Sequence, residues 1–301
     1  MKKLYGTVVP IITPLTEEDK IDVESLERLV DHVIDGGLQC LYPCGTTGEM
    51  MYLTVEERKL VAETTVRHTA GRIPVFVHVG AWNLKDTIEL AMHAEEIGAD
   101  GIGVVTPAFY KLTDRELVDF YVAVADSVSK DFPVYLYAIP QNAVNDINVS
   151  VCETVAAQCP NVIGIKYSYP DFTKLQQFML VRDQTFSVLV GPDHLFEAFC
   201  AAGGDGTVSG NAMIIREHYA RLWDAISKKD YDLAVKYQRR TNTLNAVLCE
   251  INNIAAYKVV LKDEGIIRTA KTRQPMENLT PAQEEALLSE MKRLDYKKVL
   301  I

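Results

Sequence analysis

Short apolar runs and amphipathic stretches alternate along the chain. Eight runs rich in Val, Ile and Tyr occur at 6–13 (GTVVPIIT), 39–45 (QCLYPCG), 74–80 (PVFVHVG), 101–107 (GIGVVTP), 133–139 (PVYLYAI), 162–166 (VIGIK), 186–191 (FSVLVG) and 206–210 (GTVSG). Most are apolar at consecutive positions, the pattern of strands buried on both faces. Segments of helical period lie between them. In 23–37 (VESLERLVDHVIDGG), Val23, Leu26, Leu29, Val30 and Val33 recur at three and four residues, and Gly36 supplies a stop. Asp22, Thr54 and Thr113 each precede a first turn that carries an acid, the mark of a capped helix start.

Eight strand-then-helix units without hairpin dipeptides predict parallel strands covered by helices, and their number favours a closed (β/α)8 TIM barrel over an open sheet. The first strand lacks the Gly-rich turn of a dinucleotide site, which weakens the open-sheet alternative further. The barrel is expected over 1–215. Beyond it, helical stretches near 215–228, 230–250 and 281–294 follow with no strand between them, so residues 216–301 are expected to form a C-terminal helical extension packed on the barrel as part of one structural unit.

Composition narrows the partners. The 301 residues carry a net charge of -10 and no long basic run, which argues against nucleic acid and acidic membrane surfaces and for small molecules. The six cysteines form no CxxC pair, and the first residues, MKKLYGTVVPIITPL, are broken by Pro10 and Pro14, so neither a signal peptide nor a membrane span is read there and a cytoplasmic setting is expected. The six histidines show no ligand spacing such as HxxH or HExxH; neither a metal nor a cofactor is expected.

In such a barrel, chemistry sits at the carboxyl ends of the strands. Candidates there are Thr46 and Thr47, His78, Phe109 and Tyr110, Tyr135 and Tyr137, Lys166, Asp193 and Ser209. Lys166 stands out as a cation closing an apolar strand. If it points inward, burial disfavours the ammonium and favours the neutral amine that a carbonyl-attacking nucleophile requires; the alternative is a lysine that reaches the rim or pairs with an acid. Alternation places Tyr135 and Tyr137 on one strand face, so either phenol could serve as acid/base or be a core residue. In GTTG (45–48), glycines flank Thr46-Thr47, and a tight turn there would expose amides at the start of the next helix as an anion cradle suited to a carboxylate. Cys40 and Cys44, four residues apart, are expected on one strand face, which would put Cys44 close to the site.

These motifs resemble the dihydrodipicolinate synthase and N-acetylneuraminate lyase superfamily of class I, pyruvate-handling barrels. The resemblance is carried by GTVVPIITPL at the start, GTTGE at 45–49, VTP at 105–107, LYAIP at 136–140, VIGIK at 162–166, GPD at 191–193 and GGDGTVSG at 203–210. It implies that Lys166 forms a Schiff base with a 2-oxo acid, that Tyr137 is the acid/base phenol, and that Thr46 relays protons to it. Thr47 would hold the carboxylate, with Val208 and Gly191 nearby, and the assembly would be a homotetramer built as a dimer of dimers.

Three departures bear on the substrate. Phe109 stands where the family places a tyrosine that reaches the partner subunit's site, with Tyr110 one residue later. Asn142 stands where synthases of the family carry an arginine for the carboxylate of aspartate semialdehyde. KYS puts Tyr167 and Ser168 where the far end of a substrate would lie. Asn142 and Ser168, with Asp193, suit hydroxyl groups, so the expectation is aldol cleavage or dehydration of a sugar-derived 2-keto-3-deoxy acid or an N-acetylneuraminate-like substrate, with a 2-oxo acid and an aldehyde as its small-molecule partners. The alternatives are 4-hydroxy-tetrahydrodipicolinate synthase activity and a non-catalytic sensor of 2-oxo acids.

Overall fold

A computed structural model describes residues 1–250 and 252–299. Its centre is one parallel sheet of eight strands: β1 (Gly6–Val9), β2 (Cys40–Leu41), β3 (Phe76–His78), β4 (Gly101–Val105), β5 (Val134–Ala138), β6 (Val162–Tyr167), β7 (Ser187–Val190) and β8 (Gly206–Val208). They are ordered β2-β1-β8-β7-β6-β5-β4-β3. The ring closes between β2 and β3, where the Leu41 amide donates to the Pro74 carbonyl at 3.0 Å and the His78 amide to the Pro43 carbonyl at 3.0 Å. The fold is the expected TIM barrel. The strands are shorter than the apolar runs: β1 stops before Pro10, which has no N–H to give to a neighbour.

Alternation sorts the side chains into two cores. Val8, Cys40, Tyr42, Phe76, Tyr135, Leu189 and Val208 fill the barrel interior. The opposite parity, including Val9, Leu41, Val77, Leu136, Ile165 and Val188, packs outward against the helices. Complete burial of each such aliphatic side chain contributes roughly 1.5–3 kcal/mol. One bulge breaks the parity: Val134 pairs with Val162 but Tyr135 pairs with Gly164, so Ile163 is the extra residue and enters the interior cluster. A Cβ on Gly164 would lie 2.4 Å from the Tyr135 ring, so only glycine admits that tyrosine.

The expected caps form. The side chains of Asp22, Thr54 and Thr113 accept from the amides of Ser25, Glu57 and Glu116 at the starts of helices Val23–Asp35, Val55–Thr69 and Asp114–Asp126. The helix Arg216–Ser227 follows β8 and packs against β1 and the helix Phe196–Ala201, so it is the eighth barrel helix. The extension therefore starts at Tyr231, one helix later than expected, and comprises Tyr231–Leu248, Asn253–Asp263 and Pro281–Arg293. The middle of these three has no counterpart in the periodic reading, because Ala255 to Leu261 are buried in succession and a helix apolar all round shows no amphipathic stripe. Among the described residues no single helix is long and apolar enough to cross a membrane.

Candidate active site

A cavity of about 540 Å³ opens at the carboxyl ends of the strands. Its barrel wall includes Thr46 and Thr47 after β2, Tyr137 and Gln141 from β5 and its following turn, Lys166 and Ser168 from β6, Gly191, Asp193 and His194 after β7, and Val208 from β8. Lys166 and Tyr137 are paired across β5 and β6, so the register sets them side by side on the inward face. The Lys166 Nζ lies 3.9 Å from the centroid of the Tyr137 ring and 5.4 Å from that of Tyr42. Lys166 is 7% exposed, and no carboxylate among the described residues lies within ion-pair distance of it. It neither pairs with an acid nor reaches the rim; its amine faces the cavity.

Tyr137 is 1% exposed, and its hydroxyl lies 3.3 Å from the Thr46 Oγ1. Behind it stands His78, with its ring edge-on at 5.8 Å. His78 Nδ1 meets the Cys44 carbonyl at 3.0 Å and Nε2 accepts from the Val105 amide, so the proton is on Nδ1. Burial, followed by the charges of Arg58 and Lys166, holds its pKa well below the usual range. His78 is thus a neutral wall that fixes Tyr137, outside the cavity lining.

The GTTG segment forms a tight turn. The amides of Gly48 and Glu49 donate to the carbonyls of Gly45 and Thr46 at 3.0 and 3.1 Å, whereas those of Thr46 and Thr47 have no acceptor among the described residues. Both threonines line the cavity, so the two open amides and the Thr47 hydroxyl suit an anion. The cradle belongs to the turn itself. The next helix proper begins at Val55, after a single 3-10 turn at Met50–Tyr52, and its cap is Thr54.

Asp193 Oδ2 accepts from Ser209 Oγ (2.7 Å), Asn211 Nδ2 (2.6 Å), Tyr219 OH (2.8 Å) and Asn245 Nδ2 (3.3 Å). Burial pushes its carboxyl pKa up, and the bonds from Ser209, Asn211 and Tyr219 oppose the rise. Its Oδ1 and the Ser168 hydroxyl have no partner among the described residues, so both are available to a ligand. Gly191 permits this close packing: a Cβ there would lie 2.1 Å from Ser168 Oγ.

Other expected positions lie elsewhere. Asn142 is exposed on the short turn Pro140–Ala143, and Gln141 takes its place at the cavity, its amide donating to the Ser168 carbonyl at 2.8 Å. Tyr110 is 74% exposed and Phe109 70% exposed, stacked edge-on outside the cavity of their own chain, with Phe109 in the left-handed region at φ 76°. Tyr167 follows Lys166 and so points outward, its hydroxyl donating to Asp146 at 3.3 Å. The Cys44 thiol faces away from the site. The strand ends at Leu41, Cys44 adopts φ 63°, and its thiol donates to the Arg58 carbonyl in the outer core, where burial pushes its pKa up to about 11.

One side of the wall was not foreseen. The extension contributes Asn242, Asn245, Ala246, Cys249, Asn253 and Tyr257. The available signal was Asn242 and Asn245 at i and i+3 on one helix face, since asparagine is disfavoured inside helices without a reason to be there.

The barrel brings a lysine and a tyrosine together at a polar mouth, and its relatives place it in a class of (β/α)8 lyases. Residues 3–294 match the Dihydrodipicolinate synthetase family, and the chain belongs to that family. It is 34% identical to an uncharacterised DapA-like lyase of Pyrococcus abyssi over 83% of this chain and 82% of that one. Among solved structures it is similar to dihydrodipicolinate synthase from Aquifex aeolicus (30% identity, TM-score 0.92, covering 98% of this chain and 99% of that one). It is similar too to N-acetylneuraminate lyase from Aliivibrio salmonicida (26% identity, TM-score 0.91, 99% of each chain).

Proposed function

We propose that this family member is a Schiff-base lyase acting on 2-oxo acids with a hydroxylated tail. The Lys166 amine attacks the keto carbon, C2, and water leaves, forming an imine that accepts the electrons of the C3–C4 bond as an enamine. Tyr137, assisted by Thr46, removes the proton of the tail hydroxyl as that bond breaks, releasing an aldehyde and leaving an enamine. Protonation of the enamine and hydrolysis of the imine then give pyruvate. Thr47 and the two open amides hold the carboxylate. With loss of the tail hydroxyl in place of bond cleavage, the same constellation would catalyse dehydration.

The observation that carries the substrate class is the chemistry of the wall beyond Lys166. Gln141, Ser168, Asn211, Asn242, Asn245 and Asn253 are neutral donors and acceptors, Asp193 is an acid, and the basic side chains lining the cavity among the described residues are Lys166 and His194. Hydroxyl groups fit such a wall, whereas a second carboxylate would forgo a charge-assisted contact of about 1.5–3 kcal/mol. The synthase reading has the name of the Aquifex aeolicus relative in its favour. A panel of 2-keto-3-deoxy sugar acids and N-acetylneuraminate, assayed for pyruvate release with a coupled dehydrogenase, tests the choice. Efficient condensation of pyruvate with aspartate semialdehyde and no turnover of the sugar acids would reverse it. Exposed Trp82, which follows β3, and Phe109 and Tyr110, which follow β4, favour self-association through the end of the barrel that carries the cavity, and a homotetramer is the expected assembly, to be checked by sedimentation.

A further inference from the structure

The helix Asn253–Asp263, absent from the periodic reading, reaches the site through Asn253 and Tyr257 and, by way of Glu49, through Lys258. Tyr257 lines the cavity, its hydroxyl donating to Asn211 Oδ1 at 2.9 Å. The next residue, Lys258, is fully buried and forms an ion pair with Glu49, which is 1% exposed at its side chain. Glu49 ends the GTTGE motif. Its backbone is left-handed (φ 63°, ψ 31°), a conformation unfavourable for a residue with a side chain, and its amide donates to the Thr46 carbonyl at 3.1 Å. Its second carboxylate oxygen accepts from the Arg273 amide at 2.7 Å, and Lys258 also donates to the Lys271 carbonyl at 2.7 Å. From the other side, Thr13 Oγ1 donates to the Gly48 carbonyl at 2.8 Å.

The proposed lyase mechanism gives this buried charge pair no chemical step. Burying two charges is seldom a net gain in stability over an apolar pair of the same size, so a role other than stability is to be sought. The geometry offers one. Two bonds beyond the carbonyl that Glu49 holds is the Thr46 side chain, 3.3 Å from the Tyr137 phenol, and Thr47 follows it. We infer that Glu49 and Lys258 are positioning residues that lock the Thr46-Thr47 turn against the C-terminal extension, so that the extension sets the geometry of the proton relay and the carboxylate cradle. This inference rests on the Schiff-base reading above. It makes the helix Asn253–Asp263 a working part of the site, with Tyr257 shaping the cavity and Lys258 holding the turn opposite.

The test uses Glu49→Gln, Lys258→Met and the double variant in the full chain. The double variant removes both charges, so neither is left buried alone, and its melting temperature should recover relative to the single variants. If the pair positions the turn, kcat of the double variant stays about 10–100-fold below wild type despite that recovery, and KM for the 2-oxo acid rises. Borohydride should still trap pyruvate on Lys166 in every variant, because the lysine itself is untouched. A double variant whose kcat recovers with its melting temperature would overturn the inference, as would single variants with wild-type kcat and KM. Failure to trap Lys166 in the wild type would instead refute the Schiff-base reading, and the inference with it.

Discussion

Thr46→Val separates a proton relay from a structural hydrogen bond. The Thr46 Oγ1 and Tyr137 hydroxyl are 3.3 Å apart, longer than the usual 2.7–2.8 Å or so of a strong O–H···O bond. A neutral bond contributes a net 0.5–1.5 kcal/mol or so, and at this length the lower end applies; lost alone, it would slow turnover by roughly two- to threefold. Valine keeps the shape of threonine, and the phenol borders the cavity, so water can replace the missing partner and the fold should lose less than about 1 kcal/mol. A relay is worth far more: general acid/base groups contribute about 10²–10⁴-fold, equivalent to about 2.7–5.5 kcal/mol of barrier. The expected result is a kcat reduced by about 10²-fold or more with an almost unchanged denaturation midpoint and intact trapping of Lys166. Steady-state kinetics beside urea melts decide it. A kcat within about threefold of wild type would refute the relay.

Further outcomes follow from the same geometry. Asp193→Asn removes the charge behind Oδ1, so KM for hydroxylated substrates should rise about tenfold or more, while the pyruvate concentration that half-saturates trapping stays constant; parallel increases would place Asp193 at the pyruvate end. Tyr167→Phe loses a bond on the outside of the barrel and should leave kcat and KM within about twofold of wild type, which the same assay reads. His78 is held neutral when folded and is protonated when unfolded below its ordinary value of 6.5, so its stabilisation is present above that pH and is lost as pH falls. Urea midpoints between pH 7.5 and 5.5 should fall, with each such group contributing up to about 1.4 kcal/mol per pH unit. His78→Gln should flatten that slope, and an unchanged slope would assign the acid sensitivity elsewhere.

What the chain displayed openly was periodic. Eight apolar runs became eight strands, and one-residue alternation correctly put Tyr135 and Tyr137 on the inward face. The same rule, applied to KYS, would have sent Tyr167 outward, opposite Lys166. Departures arose where the period was broken by local geometry. The bulge at Ile163 changes parity with only the adjacent Gly164 to announce it, and the left-handed Cys44 turns away from the face of Cys40. Asn142 was placed by its distance from Tyr137, but the short turn beginning at Pro140 presents Gln141 instead. The wall formed by Asn242, Asn245, Asn253 and Tyr257 depends on contacts between separate segments, such as Asn245 with Asp193 and Tyr257 with Asn211, and the largely buried helix that carries Tyr257 has no amphipathic pattern from which to read them.

Every proposed step depends on Lys166 being the nucleophile. Incubating the protein with pyruvate, reducing with borohydride and mapping the adduct by peptide mass spectrometry tests it most directly. One reduced pyruvate adduct is expected, on Lys166, and it should disappear in Lys166→Ala together with turnover. An unmodified Lys166, or turnover that survives the substitution, would contradict it.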